Sequence, residues 1–170
     1  MHLVRLAARA AIGGLFIGHG TQKLMGWFDG PGLEGTDQMM TALRLHPPRR
    51  NSIAAGATEA GSGALLVAGL LTPVAAAGVI GVMTTAIRTV HLAKGPWNAN
   101  GGYEFNLTLI ALAATLAEVG PGDLSLDHLL GIERRGTAWA LGAVALGVGT
   151  SFATVALGRR AAPDHATDGR

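Results

Sequence analysis

Apolar residues in this chain gather into long blocks, and polar residues fill the short stretches between them. The first block covers residues 3–27, with Arg5 and Arg9 near its start. A second covers 52–71 and holds one ionisable residue, Glu59. Thr72-Pro73 leaves room only for a tight antiparallel turn, and a third block, 74–93, ends near Arg88 and His91. The fourth, 103–119, stops at Gly120-Pro121-Gly122, a strong helix terminator. The fifth, 137–157, carries no charge and has about the twenty residues needed to cross a bilayer. No block alternates with the period of a strand. The pattern predicts an all-α protein, a transmembrane helical bundle of five spans.

The connections are polar or glycine-rich. Gly30-Pro31-Gly32 breaks the chain after the first block, and Pro47-Pro48 closes that loop. Between them Thr36 is placed to cap a short helix with Met39, Met40 and Leu43 on one side. Such a helix fits the membrane surface, or equally a packed loop. Asp123 and Asp127 are expected to cap a short helix starting near Ser125. Residues 159–170 form a short polar tail. Small residues four apart, as in Gly14/Gly18, Gly56/Ala60 and Ala77/Gly81, are expected to let helices approach closely.

Composition narrows the function classes. Charged residues are 14% of the chain, well below the ~25% of soluble domains, so the apolar blocks are not faces of a soluble core. The net charge of +2 comes from basic residues that flank apolar blocks, which fits headgroup anchoring and argues against nucleic acid as a partner. The first block reads as a retained helix, because no small-residue cleavage site leading into a soluble domain follows it. Cysteine is absent, which removes disulfides, thiolate metal sites and dithiol redox chemistry. Trp27 and Trp97 fit interfacial belt positions.

Chain order then collects the polar residues. A chain that reverses at each crossing brings together the end of helix one, the start of two, the end of three and the start of four. Those ends carry His19 and Lys23, then Glu59, then Arg88, His91 and Lys94, then Tyr103, Glu104 and Asn106. The other end of the hairpin, at Thr72-Pro73, shows no charge nearby. His19 and Lys23 are four apart, and Arg88 and His91 three apart, so each pair should share a helix face. A charge at mid-bilayer costs roughly 2.5–3.5 kcal/mol on insertion scales, so Glu59 should face inward and pair with Lys23 or Arg88. The cluster reads either as an ion-pair network fixing helix register or as a polar pocket open to one membrane face. No metal site is expected, since the two histidines lack a carboxylate at ligand spacing.

Three stretches resemble the DoxX family of small membrane proteins: residues 16–27 (FIGHGTQKLMGW), Glu59-Ala-Gly-Ser-Gly with Gly69-Leu-Leu-Thr-Pro73, and residues 101–107 leading to 120–127. The resemblance covers about residues 5–130. It implies a four-helix membrane core over 1–130, to which 137–158 adds a fifth helix, and a relation to quinone-linked sulfur oxidation and oxidative-stress complexes. The function expected is a subunit of a membrane oxidoreductase system handling a quinone or small sulfur compound, with the pocket candidates His19, Lys23, Glu59, Arg88, His91, Tyr103, Glu104 and Asn106. Lys23 and Arg88 would attract an oxygen of the ligand, and Glu59 and Glu104 would relay protons. The chain has no cofactor fingerprint of its own, so a bound quinone or another membrane protein would have to carry electrons. The alternatives are a non-catalytic scaffold and, third, a small-solute transporter. The expected partners are the lipid bilayer and other membrane proteins. The expected location is the cell membrane, with the N-terminus cytoplasmic because Arg5 and Arg9 flank the first helix, although the count of basic residues in later loops runs the other way.

Overall fold

The computed structural model describes residues 2–163, and within them the chain is all helical. The order is α1 (His2–Met25), α2 (Gly32–Ala42), α3 (Pro48–Ala68), α4 (Thr72–Ala86), α5 (Glu104–Val119), α6 (Leu126–Leu129) and α7 (Thr137–Arg160). After Ala86, α4 runs on through a π-helical turn, Ile87–His91, and a 3₁₀ turn, Leu92–Lys94. Two of these segments, Thr72–Lys94 and Thr137–Arg160, are long and apolar enough to cross a membrane. The tail after Pro163 lies outside the described residues.

α4 sits at the centre. α1 packs along α3, α3 leads into α4, and α4 is flanked by α5 and α7, while α1 meets α5 only thinly. The α1–α3 contact is made by backbone. A Cβ on Gly13 would stand 2.6 Å from the Gly63 carbonyl oxygen, and one on Gly20 2.5 Å from the Ala60 nitrogen. Of the three small-residue pairs expected to pack, Gly56/Ala60 and Ala77/Gly81 do and Gly14/Gly18 does not. Gly56 and Ala60 do meet α1, but Gly14 and Gly18 face open space, and Gly13 and Gly20 make the contact instead. Seven residues is close to two full turns, so Gly13 and Gly20 stay on one face where long helices run side by side. On the other flank, Ala77 and Ile80 of α4 close on Gly147 of α7.

The α3–α4 hairpin shows how a remote loop completes a local structure. Gly69 takes the left-handed conformation (φ +65°), and the Leu70 amide donates back to the Leu65 carbonyl, ending α3. The first amides of α4 then need acceptors. Asp127 supplies them: its carboxylate accepts from the Leu71 amide at 2.8 Å, the Thr72 amide at 3.1 Å and the Thr72 hydroxyl at 3.0 Å. Asp127 was expected to cap its own short helix, but Ser125 does that by accepting from the His128 amide. Arg9 packs beside this loop, fully buried, with its guanidinium donating to the Leu124 carbonyl. This end of the hairpin therefore holds a buried charge of each sign, contrary to the charge-free end expected. Thr36 also departs from expectation. α2 starts four residues earlier, after Pro31, and the Thr36 hydroxyl donates to the Gly32 carbonyl from inside the helix.

Candidate functional site

At the opposite end from Arg9 and Asp127, the helices part around a cavity of about 540 Å³. Its walls are mostly apolar: Leu15 and Phe16 of α1, Met39 and Met40 of α2, Met83 of α4, and Phe105 and Leu109 of α5. The thin contact between α1 and α5 fits this opening.

Five of the eight residues singled out by order and spacing line the cavity: His19, Lys23, Glu59, His91 and Asn106. Glu59, one turn beyond the Gly56 contact with α1, is 4% exposed. Lys23 reaches it across the α1–α3 seam, with its Nζ 2.7 Å and 2.9 Å from the two carboxylate oxygens. Each charge is thus compensated by the other. The His91 Nδ1 lies 2.7 Å from the Gly101 carbonyl, which can only accept, so Nδ1 donates there and Nε2 takes no part in that contact. His19 Nδ1 lies 3.1 Å from the Gln22 side-chain oxygen. Asn106 is buried in the first half of α5. Its amide nitrogen reaches only the Met83 thioether, a weak acceptor, at 3.3 Å.

Arg88, Tyr103 and Glu104 are not part of the lining. Arg88 turns away to α7, where its guanidinium donates to the Ser151 carbonyl at 3.0 Å and lies over the Phe152 ring at 3.7 Å. The reason is the π-helical turn. It winds wider than an α-helix, so residues three apart no longer nearly superpose, and Arg88 and His91 diverge to different neighbours. The partner of Glu59 is accordingly Lys23 and not Arg88. The Glu104 carboxylate accepts from the Asn98 amide at 2.7 Å and fastens the loop before α5. The Tyr103 amide donates to the Gly95 carbonyl in the same loop. No group of three metal-ligating side chains comes together among the described residues.

A set of residues that the sequence reading passed over lines the cavity on its α7 side: Thr58, Thr85, Thr89, Thr150, Ser151 and Thr154. Their signal was available in the four-residue spacing of Thr85/Thr89 and Thr150/Thr154 within otherwise apolar blocks. Hydroxyls are easily overlooked there, because helix carbonyls can satisfy them locally.

A family model, DoxX, matches residues 4–92, just over half of the chain. The chain belongs to the DoxX family. No curated protein and no solved structure shows a significant match. Within this DoxX chain the matched stretch holds α1 to α4 and so His19, Lys23, Glu59 and His91, while Asn106 and all of α7 lie beyond it. Membership and the apolar helices together point to a membrane protein.

Proposed function

We propose that the chain is a multi-pass protein of the cell membrane, with α1, α3, α4 and α5 as a four-helix core and α7 as a fifth span, and that its cavity holds a quinone for a membrane oxidoreductase system. α1 and α3 fit this reading because Arg9, Lys23 and Glu59, the charges away from their first turns, are buried or paired between helices, while Arg5, Arg49 and Arg50 lie near the helix starts.

The observation that carries the ligand reading is Asn106. A buried amide costs free energy unless its hydrogen bonds are made, and this one has only a thioether beside it while facing a cavity. A ligand oxygen would complete it. A small-molecule pocket is typically ~300–1,000 Å³ and mostly apolar with few polar groups, which this cavity matches. The closed Lys23–Glu59 pair favours one of the two ligands expected. A sulfur oxyanion would have to take Lys23 from Glu59 and leave a buried carboxylate uncompensated, whereas a neutral carbonyl needs neither charge displaced. A quinone, when bound, would supply the two-electron chemistry that the chain's side chains lack. Asn106 and Lys23 would orient its oxygen, and Glu59 and the Nε2 of His91 would hold or accept protons. Arg88 and Glu104, engaged elsewhere, have no part in this scheme.

Native mass spectrometry on protein extracted gently from its own membrane tests the reading. A bound mass matching a quinone, lost in Asn106→Leu, is the expected result. A bare chain that co-purifies only with other proteins would replace the ligand reading with the scaffold.

A further inference from the structure

The α7 side of the cavity has a chemistry of its own. Its hydroxyls come from three helices, Thr58 on α3, Thr85 and Thr89 on α4, and Thr150, Ser151 and Thr154 on α7. Several already have their proton committed. Thr89 donates to the Thr85 carbonyl at 2.8 Å and Thr150 to the Gly147 carbonyl at 2.9 Å. Thr85 donates to the Gly81 carbonyl at 2.8 Å and lies 2.9 Å from the Ser151 hydroxyl. The Ser151 hydroxyl oxygen in turn accepts from Arg88 at 3.4 Å. A hydroxyl whose proton is spent can only accept. Thr89 and Thr150 therefore offer acceptor oxygens to whatever fills the cavity beside them.

The ionisable residues of the lining beside these hydroxyls are His91, two positions from Thr89, and Glu59, next to Thr58, while the Arg88 guanidinium is occupied by Ser151 and Phe152. An ammonium group would find acceptors here but no free carboxylate, since Glu59 is held by Lys23. The complement of such a surface is an uncharged donor. Thr58, next to Glu59 on α3, joins this side to the Lys23–Glu59 end of the same cavity. The α7 hydroxyls all lie outside the stretch that matches the family.

We propose that the continuation of α4 and α7 together build a second subsite in the cavity, and that it binds the hydroxyl of an uncharged amphiphile, an alcohol or phenol, at the acceptor oxygen of Thr89 or of Thr150, which stand about two helical turns apart. This rests on the cavity being a ligand pocket. On the quinone reading it makes the reduced, dihydroxy form the better ligand, and it gives the fifth helix a role in selecting that form.

The test uses the full chain in lipid nanodiscs, under anaerobic conditions, with four probes in equilibrium dialysis: a short-chain naphthoquinol, its dimethyl ether, the oxidised naphthoquinone and dioctanoylglycerol. The quinol should bind about tenfold more tightly than its ether, the scale of one good hydrogen bond. Thr89→Val/Thr150→Val should bring the two within about twofold, and an unchanged thermal unfolding midpoint reports that the variant is folded. Thr89→Ser/Thr150→Ser, which keeps both oxygens, should keep the discrimination. Equal binding of quinol and ether to the unaltered protein, or a preference that survives the valine pair, overturns the subsite. Should no naphthoquinone species bind while dioctanoylglycerol does, and that binding falls in the valine pair, the quinone reading fails and the hydroxyl subsite stands.

Discussion

Lys23 and Glu59 stand 36 positions apart in sequence and close a two-oxygen ion pair in which the carboxylate is buried. Removing one member of such a pair strands the other. Lys23→Met should therefore cost about 3 kcal/mol, while Lys23→Met/Glu59→Leu, which leaves no charge behind, should recover most of that loss. Thermal unfolding of both variants in the same detergent checks the order, and a double variant less stable than the single one would contradict it. Glu59 was legible because a carboxylate in an apolar block has few ways to be tolerated. Arg9 was not. Near the start of a helix it looks the same as an interfacial anchor, and the loop that buries it comes from the other side of α5, where no spacing rule reaches. Asn106 was found by position alone, and what makes it informative, a thioether in place of a real acceptor, is a fact of packing.

At the scale of elements, the five long helices fall within about one turn of the blocks read from hydropathy, because apolar runs bounded by glycine and proline leave few alternatives. What lay beyond reach was how they are tied together. Asp127 caps α4 from 55 residues away, and Asp127→Asn should lower stability by about 1–2 kcal/mol by removing the charge from that cap. Chemical denaturation followed by helical circular dichroism measures it, and an unchanged midpoint would show that water or another group serves α4 equally well. The π-helical turn was equally invisible, since an extra residue per turn is imposed by neighbours and not by local propensity. Its consequence is the Arg88 clamp on α7. Arg88→Met should loosen α7 and speed proteolytic cutting in the 131–136 loop several-fold, leaving the Lys23–Glu59 end intact. An unaltered cleavage rate would show that Gly147 packing alone holds the helix.

For the molecule as a whole, the absence of cysteine makes topology directly measurable. Five spans with a cytoplasmic N-terminus put Asn100→Cys outside and Glu133→Cys inside. An impermeant maleimide should then label the first in intact cells and the second only after permeabilisation. Were only Thr72–Lys94 and Thr137–Arg160 to cross, both positions would lie on one side and label together. The arrangement places a closed, charge-bearing end around Arg9 and Asp127 and an open one around the cavity, with α4 joining them. Chain order revealed the open end, because four polar helix ends meet there. The closed end needed the fold.

The central claim is that the cavity between α1, α4 and α5 is where a quinone binds. The most direct measurement is photo-crosslinking with an azidoquinone in native membranes, followed by peptide mapping. Adducts should concentrate on cavity residues such as Phe16, Met83 and Phe105, fall when unlabelled quinone competes, and disappear in Asn106→Leu. Labelling spread over exposed positions outside the cavity such as Leu141 and Leu157, unaffected by competitor or by that substitution, would contradict the claim.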